Sequence, residues 1–301
     1  MKDIIVVGSI AFDSIETIQG KRKSLLGGAA TYFSLAASLF SKVHLVGVVG
    51  TDFNQEHVEM FHSKSVSTEY LQHQKGNTFK WGGVYSDDFK SRETLFTDLG
   101  VFEKFNPIID ASKLECPILF LANIQPSLQM NIINQIGNPS LIVLDTMNLW
   151  IDNNYDELIE VIKKSDILLI NDEEITQLTD GIDLELAGFK LLDLGLRYII
   201  IKKGAKGSLI LSKDHKIIIP AVSNIDVYDP TGAGDSFAGG FIGYLSCNIK
   251  WNLESITAAT LYGTAIASYT VSSFGIDGIK NLRLDNIKKR VKLIKDLMKD
   301  F

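Results

Sequence analysis

The sequence predicts a doubly wound α/β protein, in which helices cover both faces of a mostly parallel sheet. Short β-branched runs recur along the chain, and most are apolar throughout, as strands buried on both faces must be. Helix-like stretches stand between several of these runs. This alternation of strand and helix is typical of a doubly wound core.

The predicted strands are the six apolar runs Ile4–Val7, Val43–Val49, Ile118–Ala122, Leu141–Asp145, Ile167–Ile170 and Tyr198–Ile201. The predicted helices that alternate with them are Ala30–Ser41, Asn54–Ser65, Ser127–Ile136, Asp156–Lys164 and Leu184–Leu194. The last third of the chain is more helical, because apolar residues recur at helical spacing in Gly232–Ser246, Leu253–Tyr269 and Asp285–Lys299.

Two segments break this alternation and have the pattern of strands outside the main sheet. Thr78–Tyr85 and Arg92–Asp98 predict a hairpin around the polar turn Ser86–Ser91. Residues 14–26 are polar with scattered apolar residues, and they are too short for a crossover helix. We expect residues 14–26 and 78–98 to form a small β-sheet lid over a cleft. No linker or internal repeat divides the chain, so a single domain over residues 1–301 is expected.

Composition excludes several classes of protein. The 301 residues are 46% hydrophobic and 22% charged, which is typical of a folded globular protein rather than a disordered or fibrous one. The 30 basic and 36 acidic side chains give a formal charge of −6. Most of the surface should therefore repel nucleic acid and anionic membranes.

Cysteine usage and the N-terminal sequence predict a cytoplasmic protein. Cys116 and Cys247 are too few for a disulfide framework or a cysteine-rich zinc site, and we expect both to be buried apolar residues. The first residues run directly into strand-like sequence without the features of a secretory signal. No run approaches the roughly 18 apolar residues of a membrane span.

The segment Asp229–Phe241, D-P-T-G-A-G-D-S-F-A-G-G-F, carries the most chemical information. Its glycines allow backbone amides to converge on an anion, and the predicted helix adds unpaired N–H groups and a partial positive charge. Gly232–Gly234 are therefore placed to hold a phosphate. Asp235, expected to be ionised, suits phosphoryl transfer as the base that takes the proton of an attacking hydroxyl. A helix cap in a tight turn is the simpler alternative.

Three other motifs do not fit the sequence. The P-loop pattern G-x-x-x-x-G-K-[ST] is absent, and the first strand is followed by Gly8–Asp13 rather than by the G-x-G-x-x-G of a dinucleotide fold. Gly234–Ala238 is close to the nucleophile elbow of a serine hydrolase. That triad needs a histidine after the serine, and the last histidine is His215.

The same segment resembles the C-terminal signature of the ribokinase-like (PfkB) family of sugar and nucleoside kinases. Other stretches fall where that family would place them: Val7–Asp13, Gly27-Gly28, Val46–Asp52, Asn171–Glu174 and Lys203–Gly207. The resemblance therefore spans nearly the whole chain. It implies a three-layer α/β/α core, a β-sheet lid that often mediates dimerisation, and transfer of the ATP γ-phosphate to a substrate hydroxyl.

The resemblance implies a role for each matching residue. Asp235 resembles the catalytic base, and Gly232, Ala233 and Gly234 resemble the anion hole that stabilises the transferring phosphoryl group. Asn171 and Glu174 match the N-x-x-E motif, which in the family organises Mg²⁺ and its waters, and oxygen ligands suit this cation. From the local sequence alone, Asn171 is a helix N-cap, and both roles can coexist.

The resemblance also implies positions for a potassium ion and for the nucleotide. Asp229 and Thr231 match residues that coordinate an activating K⁺ in many relatives, and their alternative role is to shape the loop. Five residues match the segments beside the ATP nucleotide: Lys203, Gly204, Gly207, Ser272 and Gly275. Contacts in these segments vary widely among relatives.

The substrate side departs from the family pattern. Many sugar kinases of the family have G-G-x-x-x-N, whereas Gly27 and Gly28 are followed here by Tyr32 at the asparagine position. A tyrosine donates one hydrogen bond and adds a flat apolar wall, so the acceptor can differ from ribose or fructose. Asp13 is expected at the carboxyl edge of the sheet, where it would accept hydrogen bonds from substrate hydroxyls. A turn-capping aspartate is the alternative.

These observations predict an ATP- and Mg²⁺-dependent kinase that acts on a hydroxyl of a sugar or nucleoside. The second hypothesis is a catalytically silent regulator that binds nucleotide or sugar on the same fold. Asp235, Asn171 and Glu174 are all present, which favours the enzyme, because a pseudoenzyme usually loses the base or the metal residues first. The basic triplet Lys21–Lys23 is either solvated or contacts an anionic acceptor, which leaves the charge of the acceptor open.

Overall fold

In the computed structural model, which describes residues 1–299, the chain forms 14 strands, ten α-helices and four short 3-10 helices. The strands are β1 Ile4–Val7, β2 Ala11–Thr17, β3 Gly20–Gly27, β4 Val43–Val49, β5 Val66–Ser67, β6 Leu71–His73, β7 Phe79–Tyr85, β8 Arg92–Asp98, β9 Ile118–Leu121, β10 Leu141–Asp145, β11 Ile167–Asn171, β12 Tyr198–Lys202, β13 Ser208–Leu211 and β14 Lys216–Ile219. The α-helices are α1 Ala29–Ala37, α2 Gln55–Ser63, α3 Pro126–Ile136, α4 Asn148–Asn153, α5 Tyr155–Lys164, α6 Asp172–Leu178, α7 Leu184–Leu192, α8 Ala233–Ser246, α9 Leu253–Thr270 and α10 Leu284–Leu297.

Ten strands form one large sheet, in the order β14-β13-β12-β11-β10-β9-β1-β4-β5, with β6 also paired to β4. All pairs from β12 to β5 and β6 are parallel, and only the β12–β13 and β13–β14 pairs are antiparallel. Every residue of β1, β4, β9 and β10 is buried, which accounts for their continuous apolar sequence. The predicted mostly parallel sheet is confirmed.

The large sheet has a hydrophobic core on each face. Ile4 and Val6 of β1 point to one core, which is closed by α1, α2, α8, α9 and α10. Ile5 and Val7 point to the other core, which is closed by α3 to α7. Because alternate residues of one strand enter opposite cores, the molecule has the three-layer α/β/α architecture.

The remaining four strands form a second sheet, here called the small sheet, in the order β3-β2-β7-β8. The predicted hairpin is confirmed as β7 and β8, and the segment at residues 14–26 lies in β2 and β3. Strand β2 begins at Ala11, three residues before the predicted segment. Asp13 therefore lies within the small sheet and not in the turn after β1.

Several elements have no counterpart in the predicted set. Strands β13 and β14 have four residues each, and helix α4 has six. The apolar runs Leu209–Leu211 and Ile217–Ile219 are shorter than those of the predicted strands, and six residues are too few to show helical spacing. Within residues 1–299, no helix is both long enough and apolar enough to cross a bilayer.

The prediction that both cysteines are buried is wrong, because Cys116 and Cys247 are exposed. Cys116 lies in the loop before β9 with a φ of 44°, and Cys247 is the C-terminal cap of α8. Both cysteines lie at positions where the chain passes from the core to the surface.

Candidate active site

The N-terminus of α8 presents free backbone donors. Gly232 caps this helix with a φ of 73°, and Asp235 lies in its first turn. The amide of Ala233 donates to the carbonyl of Pro230 at 3.2 Å, whereas the amides of Gly232 and Gly234 donate to no group within residues 1–299. Of the three predicted anion-hole residues, Gly232 and Gly234 therefore have N–H groups free to hold an anion.

Tyr32 of α1 lies directly against this helix end. A Cβ built on Gly232 would come within 2.4 Å of the Tyr32 ring. Tyr32 is only 1% exposed, and its hydroxyl has no hydrogen-bond partner within residues 1–299. Burial raises the pKa of Tyr32 well above its ordinary value, and the nearby charges of Asp13 and Asp229 raise it further. The hydroxyl is therefore a protonated donor with no internal acceptor.

Asp13 reaches the same place from the small sheet. Its carboxyl group packs on Gly27, since a Cβ at that glycine would overlap Oδ2 of Asp13. Burial raises the pKa of Asp13 to about 7, and the charge of Asp229 adds to the effect, while a hydrogen bond from the backbone of Gly28 opposes it. The predicted substrate-side residues Asp13, Gly27, Gly28 and Tyr32 are thus brought together.

Asp235 is half-buried and lies among charged groups. Burial raises its pKa to about 7, the charge of Asp145 raises it further, and the ammonium group of Lys202 opposes both. The expectation of an ionised Asp235 therefore holds only above about pH 7, because the solvent that would stabilise the charge is excluded. A carboxylate with a pKa near neutrality is well matched to general-base catalysis.

Asn171 and Glu174 form a capping box at the start of α6. Oδ1 of Asn171 accepts from the Glu174 amide at 2.7 Å, and Oε2 of Glu174 accepts from the Asn171 amide at 2.9 Å. Oε1 of Glu174 accepts no hydrogen bond within residues 1–299, so one carboxylate oxygen is free. Burial raises the pKa of Glu174 to about 7, and the charge of Lys202 opposes this.

These residues fit a magnesium ion held mainly by other ligands. A free carboxylate oxygen suits Mg²⁺ or one of its waters. Across the part of the chain that the structure describes, no group of three or more His, Cys, Asp or Glu side chains is arranged to hold a metal by itself. Glu174 would therefore assist a cation whose remaining ligands are phosphate oxygens and water.

The loop before α8 is tied together by Asp229. Its Oδ1 accepts from the Thr231 amide and its Oδ2 from the Gly275 amide, both at 2.9 Å. The Thr231 hydroxyl lies 3.0 Å from the hydroxyl of Tyr85 in the small sheet. Asp229 and Thr231 thus shape the loop and link it to the small sheet, and each carboxylate oxygen of Asp229 keeps a second lone pair that is available to a K⁺ ion.

The residues predicted beside the nucleotide lie in two separate segments. Lys203, Gly204 and Gly207 form the turn after β12, closed by a bond from the Lys203 amide to the Gly207 carbonyl at 2.8 Å. Ser272 follows α9 and donates to the Ser268 carbonyl, and Gly275 is held by Asp229. No hydrogen bond joins the two segments within residues 1–299.

Two further residues of the site escape prediction from sequence. Lys202 Nζ donates to Oδ1 of Asp145 at 3.1 Å, and both side chains are mostly buried. They end β12 and β10, on either side of Asn171 at the end of β11. The sequence signal that could have identified Lys202 and Asp145 is a charged residue directly at the end of an otherwise apolar strand. Burial lowers the pKa of Lys202, but Asp145 and Glu174 outweigh it, so its pKa lies above the ordinary value.

The basic triplet lies on the exposed part of β3. Lys21 pairs with Glu16 at 2.6 Å, and the Arg22 guanidinium stacks on Phe274 at 4.9 Å from the ring centre. Lys23 is exposed. These exposed contacts favour the interpretation that the basic triplet is solvated.

Comparison with known proteins assigns this arrangement to a family. Residues 129–280, about half of the chain, match the pfkB family carbohydrate kinase profile. The chain belongs to the pfkB family. As a pfkB-family protein it is a phosphotransferase with a hydroxyl acceptor, and ATP binding is expected of it.

Individual pfkB-family relatives resemble nearly the whole chain. It is 28% identical to a cytidine kinase of Thermococcus kodakarensis over 250 residues, 80% of this chain and 88% of the relative. It is 26% identical to a nucleoside kinase of Methanocaldococcus jannaschii over 292 residues, 91% and 92% of the two chains. The crystal structure of Methanocaldococcus jannaschii nucleoside kinase, described as an archaeal member of the ribokinase family, covers 97% of this chain and 98% of that chain with a TM-score of 0.79 and 25% identity.

Proposed function

We propose that this chain is an ATP-dependent kinase that transfers the γ-phosphate to a hydroxyl of a nucleoside or sugar, with Asp235 as the base. The observation that carries the proposal is the position of Asp235. Its half-buried carboxyl group lies in the first turn of α8, beside the free amides of Gly232 and Gly234. A base and an anion site next to each other are what phosphoryl transfer to a hydroxyl requires.

The proposed reaction uses these groups in order. Asp235 takes the proton of the acceptor hydroxyl, and the oxygen attacks the γ-phosphorus of ATP. The bond from the γ-phosphorus to the bridging oxygen breaks, and its electron pair leaves with ADP. The amides of Gly232 and Gly234 donate to the oxygens on which negative charge accumulates.

Asp13 and Tyr32 orient the acceptor in this proposal. The Asp13 carboxylate accepts hydrogen bonds from hydroxyl groups, and the unpartnered Tyr32 hydroxyl donates one. Gly27 leaves room for the Asp13 carboxyl group, and Gly28 leaves room for the backbone of Ser9–Ala11. Nucleosides are the first acceptors to test, because the relatives described above are cytidine and nucleoside kinases.

Asn171 and Glu174 would organise Mg²⁺ beside the phosphates, and the ion would neutralise part of their charge when bound. Lys203–Gly207 and Ser272–Gly275 flank the nucleotide in the proposal. A K⁺ ion would be held by Asp229 and Thr231, since each carboxylate oxygen of Asp229 accepts one hydrogen bond and keeps a second lone pair.

Residues 1–301 act as one kinase domain in this proposal, and segments 14–26 and 78–98 of the small sheet serve as its lid. Two hydrogen bonds support the lid role by joining the small sheet to the loop before α8: Tyr85 to Thr231 at 3.0 Å and Thr17 to the Tyr228 carbonyl at 2.9 Å.

Strand β8 is exposed along its whole length, and a second copy pairing there would form a homodimer. Light scattering should then give twice the chain mass.

A turnover panel tests the proposed function. ADP release from Mg·ATP would be measured with nucleosides, neutral sugars, sugar phosphates, sugar acids and inositols. The proposal expects turnover with at least one nucleoside or sugar and its loss in the Asp235→Asn variant. Binding of ATP and acceptor without turnover would instead support a silent regulator.

A further inference from the structure

Lys202 is a buried cation that the proposed reaction has not used. It ends β12, and its Nζ donates to Oδ1 of Asp145 at 3.1 Å. Its side chain is 17% exposed, and that of Asp145 is 7% exposed. A lysine is rarely withdrawn this far from water without a partner or a function.

The ammonium group faces the anion-binding end of α8. A Cβ built on Gly234 would lie 3.3 Å from Nζ of Lys202, so the ammonium is in contact distance of this part of the helix end. The amide of Gly234 is one of the two free donors described above. An anion held there would therefore meet both a backbone N–H and a positive charge.

Lys202 also has unused donors. Asp145 is its one hydrogen-bond acceptor within residues 1–299. An ammonium group has three N–H donors, so two are available to a ligand. A lysine held only for stability would be expected to place them on protein carbonyls or carboxylates.

The charges around Lys202 show why a cation is needed here. The carboxyl groups of Asp145, Glu174 and Asp235 all act on its ammonium. Bringing a polyphosphate to this group adds further negative charge in a place from which water is largely excluded. One fixed positive charge at the meeting point of carboxylates and phosphate lowers this repulsion.

We propose that Lys202 is a further catalytic residue, whose ammonium group donates to a non-bridging oxygen of the transferring phosphoryl group. This rests on the proposed kinase function. Lys202 keeps its proton throughout, while Asp235 takes the proton of the acceptor hydroxyl. Asp145 is a positioning residue, since its carboxylate holds the ammonium at the helix end.

The test compares Lys202→Met with Lys216→Met. Lys216 also pairs with a carboxylate, that of Glu185, but on the exposed strand β14 away from the site. We expect Lys202→Met to lower kcat by about 10²–10³ with little change in the KM of the acceptor, as loss of a transition-state donor does. Lys216→Met should keep the wild-type kcat. Asp145→Asn should lower kcat by about tenfold, because the lysine remains but is held less firmly.

A pH profile of kcat distinguishes a direct contact of Lys202 with the phosphoryl group from an indirect effect of Lys202 on the ionisation of Asp235. If Lys202 contacts the phosphoryl group, the loss in Lys202→Met persists at pH 9, and it is larger near pH 6 because removing the ammonium also raises the pKa of Asp235. Recovery of kcat at pH 9 would overturn the proposal, because the lysine would then act only by keeping Asp235 ionised. A normal kcat in Lys202→Met would overturn it as well. If this variant folds poorly, the double variant Lys202→Met/Asp145→Asn removes both charges of the pair and should show the same loss.

Binding of a phosphoryl mimic tests the role of Lys202 without any measurement of turnover. Aluminium fluoride, which imitates the transferring phosphoryl group, should tighten Mg·ADP binding in the wild type. Lys202→Met should lose this tightening while its affinity for Mg·ADP stays within about threefold. Retained tightening would contradict the role of Lys202. A wild-type chain that turns over no acceptor would contradict the proposed function alone.

Discussion

The ring of Tyr32 occupies the space that a side chain at position 232 would need: a Cβ on Gly232 would come within 2.4 Å of the ring. Gly232 also has a φ of 73°, in the left-handed region that favours glycine. The contact joins helix α1, which carries a substrate-side residue, to the anion-binding end of α8. The acceptor side and the phosphate side of the proposed active site are therefore in contact at Gly232.

Replacing Gly232 should damage both stability and turnover. Gly232→Ala must displace the Tyr32 ring, so we expect kcat to fall at least about tenfold, since misplaced groups lose much of their effect. Gly181→Ala is the control, because Gly181 has a φ of 77° and no atom within 4 Å of a built Cβ. The control should lose only about 1–2 kcal/mol of unfolding free energy, with normal kcat. Equal effects of the two variants on Tm and kcat would contradict the contact.

Asp235→Asn should lower kcat by about 10²–10⁴, because an amide keeps the shape of the side chain but cannot take the proton. Mg·ATP binding, measured by calorimetry, should largely survive. Asp214→Asn, at an exposed aspartate, is the control and should behave as wild type. A near-normal kcat in Asp235→Asn with a verified acceptor would exclude Asp235 as the base.

The wild-type rate should depend on pH in a definite direction. Burial raises the pKa of Asp235 to about 7, so the base is protonated below that pH and ionised above it. The value of kcat/KM for the acceptor should therefore rise as pH increases through about 7. A rate that is level from pH 5 to pH 8 would show that no base with this pKa limits the reaction.

Glu174→Gln should raise the Mg²⁺ concentration needed for half-maximal rate, because it removes one negative charge from the metal's surroundings. Glu173→Gln makes the same change of charge one residue away on an exposed side chain, and it should leave the Mg²⁺ titration unchanged. Both variants should melt within a few degrees of wild type. Identical Mg²⁺ titrations for the two variants would make Glu174 a purely structural cap.

Asp13→Ala should lower kcat/KM for the acceptor at least about tenfold, since it removes hydrogen bonds to a charged group worth roughly 1.5–3 kcal/mol each. The KM for ATP should move much less. Asp87→Ala, in the exposed turn of the small sheet, is the control. Equal losses for both substrates, or a lower Tm with intact kinetics, would favour a structural role for Asp13.

The stability of the protein should also depend on pH through Asp13. Its pKa is about 7 in the folded chain, against about 3.9 in an unfolded one, so the folded state binds more protons between these values. The contribution of Asp13 to unfolding free energy is therefore present below about pH 4 and is lost as pH rises towards 7. Asp13→Asn should reduce the fall in Tm between pH 5 and pH 8. An unchanged fall in this variant would show that Asp13 ionises freely in the folded protein.

The sequence by itself determined the elements whose pattern is long and continuous. The buried strands of the large sheet are almost entirely apolar, because both of their faces are covered, and this pattern is visible without any structure. The Asp229–Phe241 segment was equally visible, because glycines, a helix start and Asp235 are adjacent in the chain. Both kinds of signal are local, so neighbouring residues suffice to predict them.

Only the tertiary structure decided which distant side chains meet. Lys202 and Asp145 are 57 residues apart, and they pair because parallel strands bring their carboxyl ends to one edge of the sheet. The same folding places the Tyr32 ring on Gly232, buries Asp13 and half-buries Asp235, which raises the pKa values of both carboxyl groups to about 7. Exclusion of solvent depends on every layer packed around a group, and no local stretch of sequence contains that information.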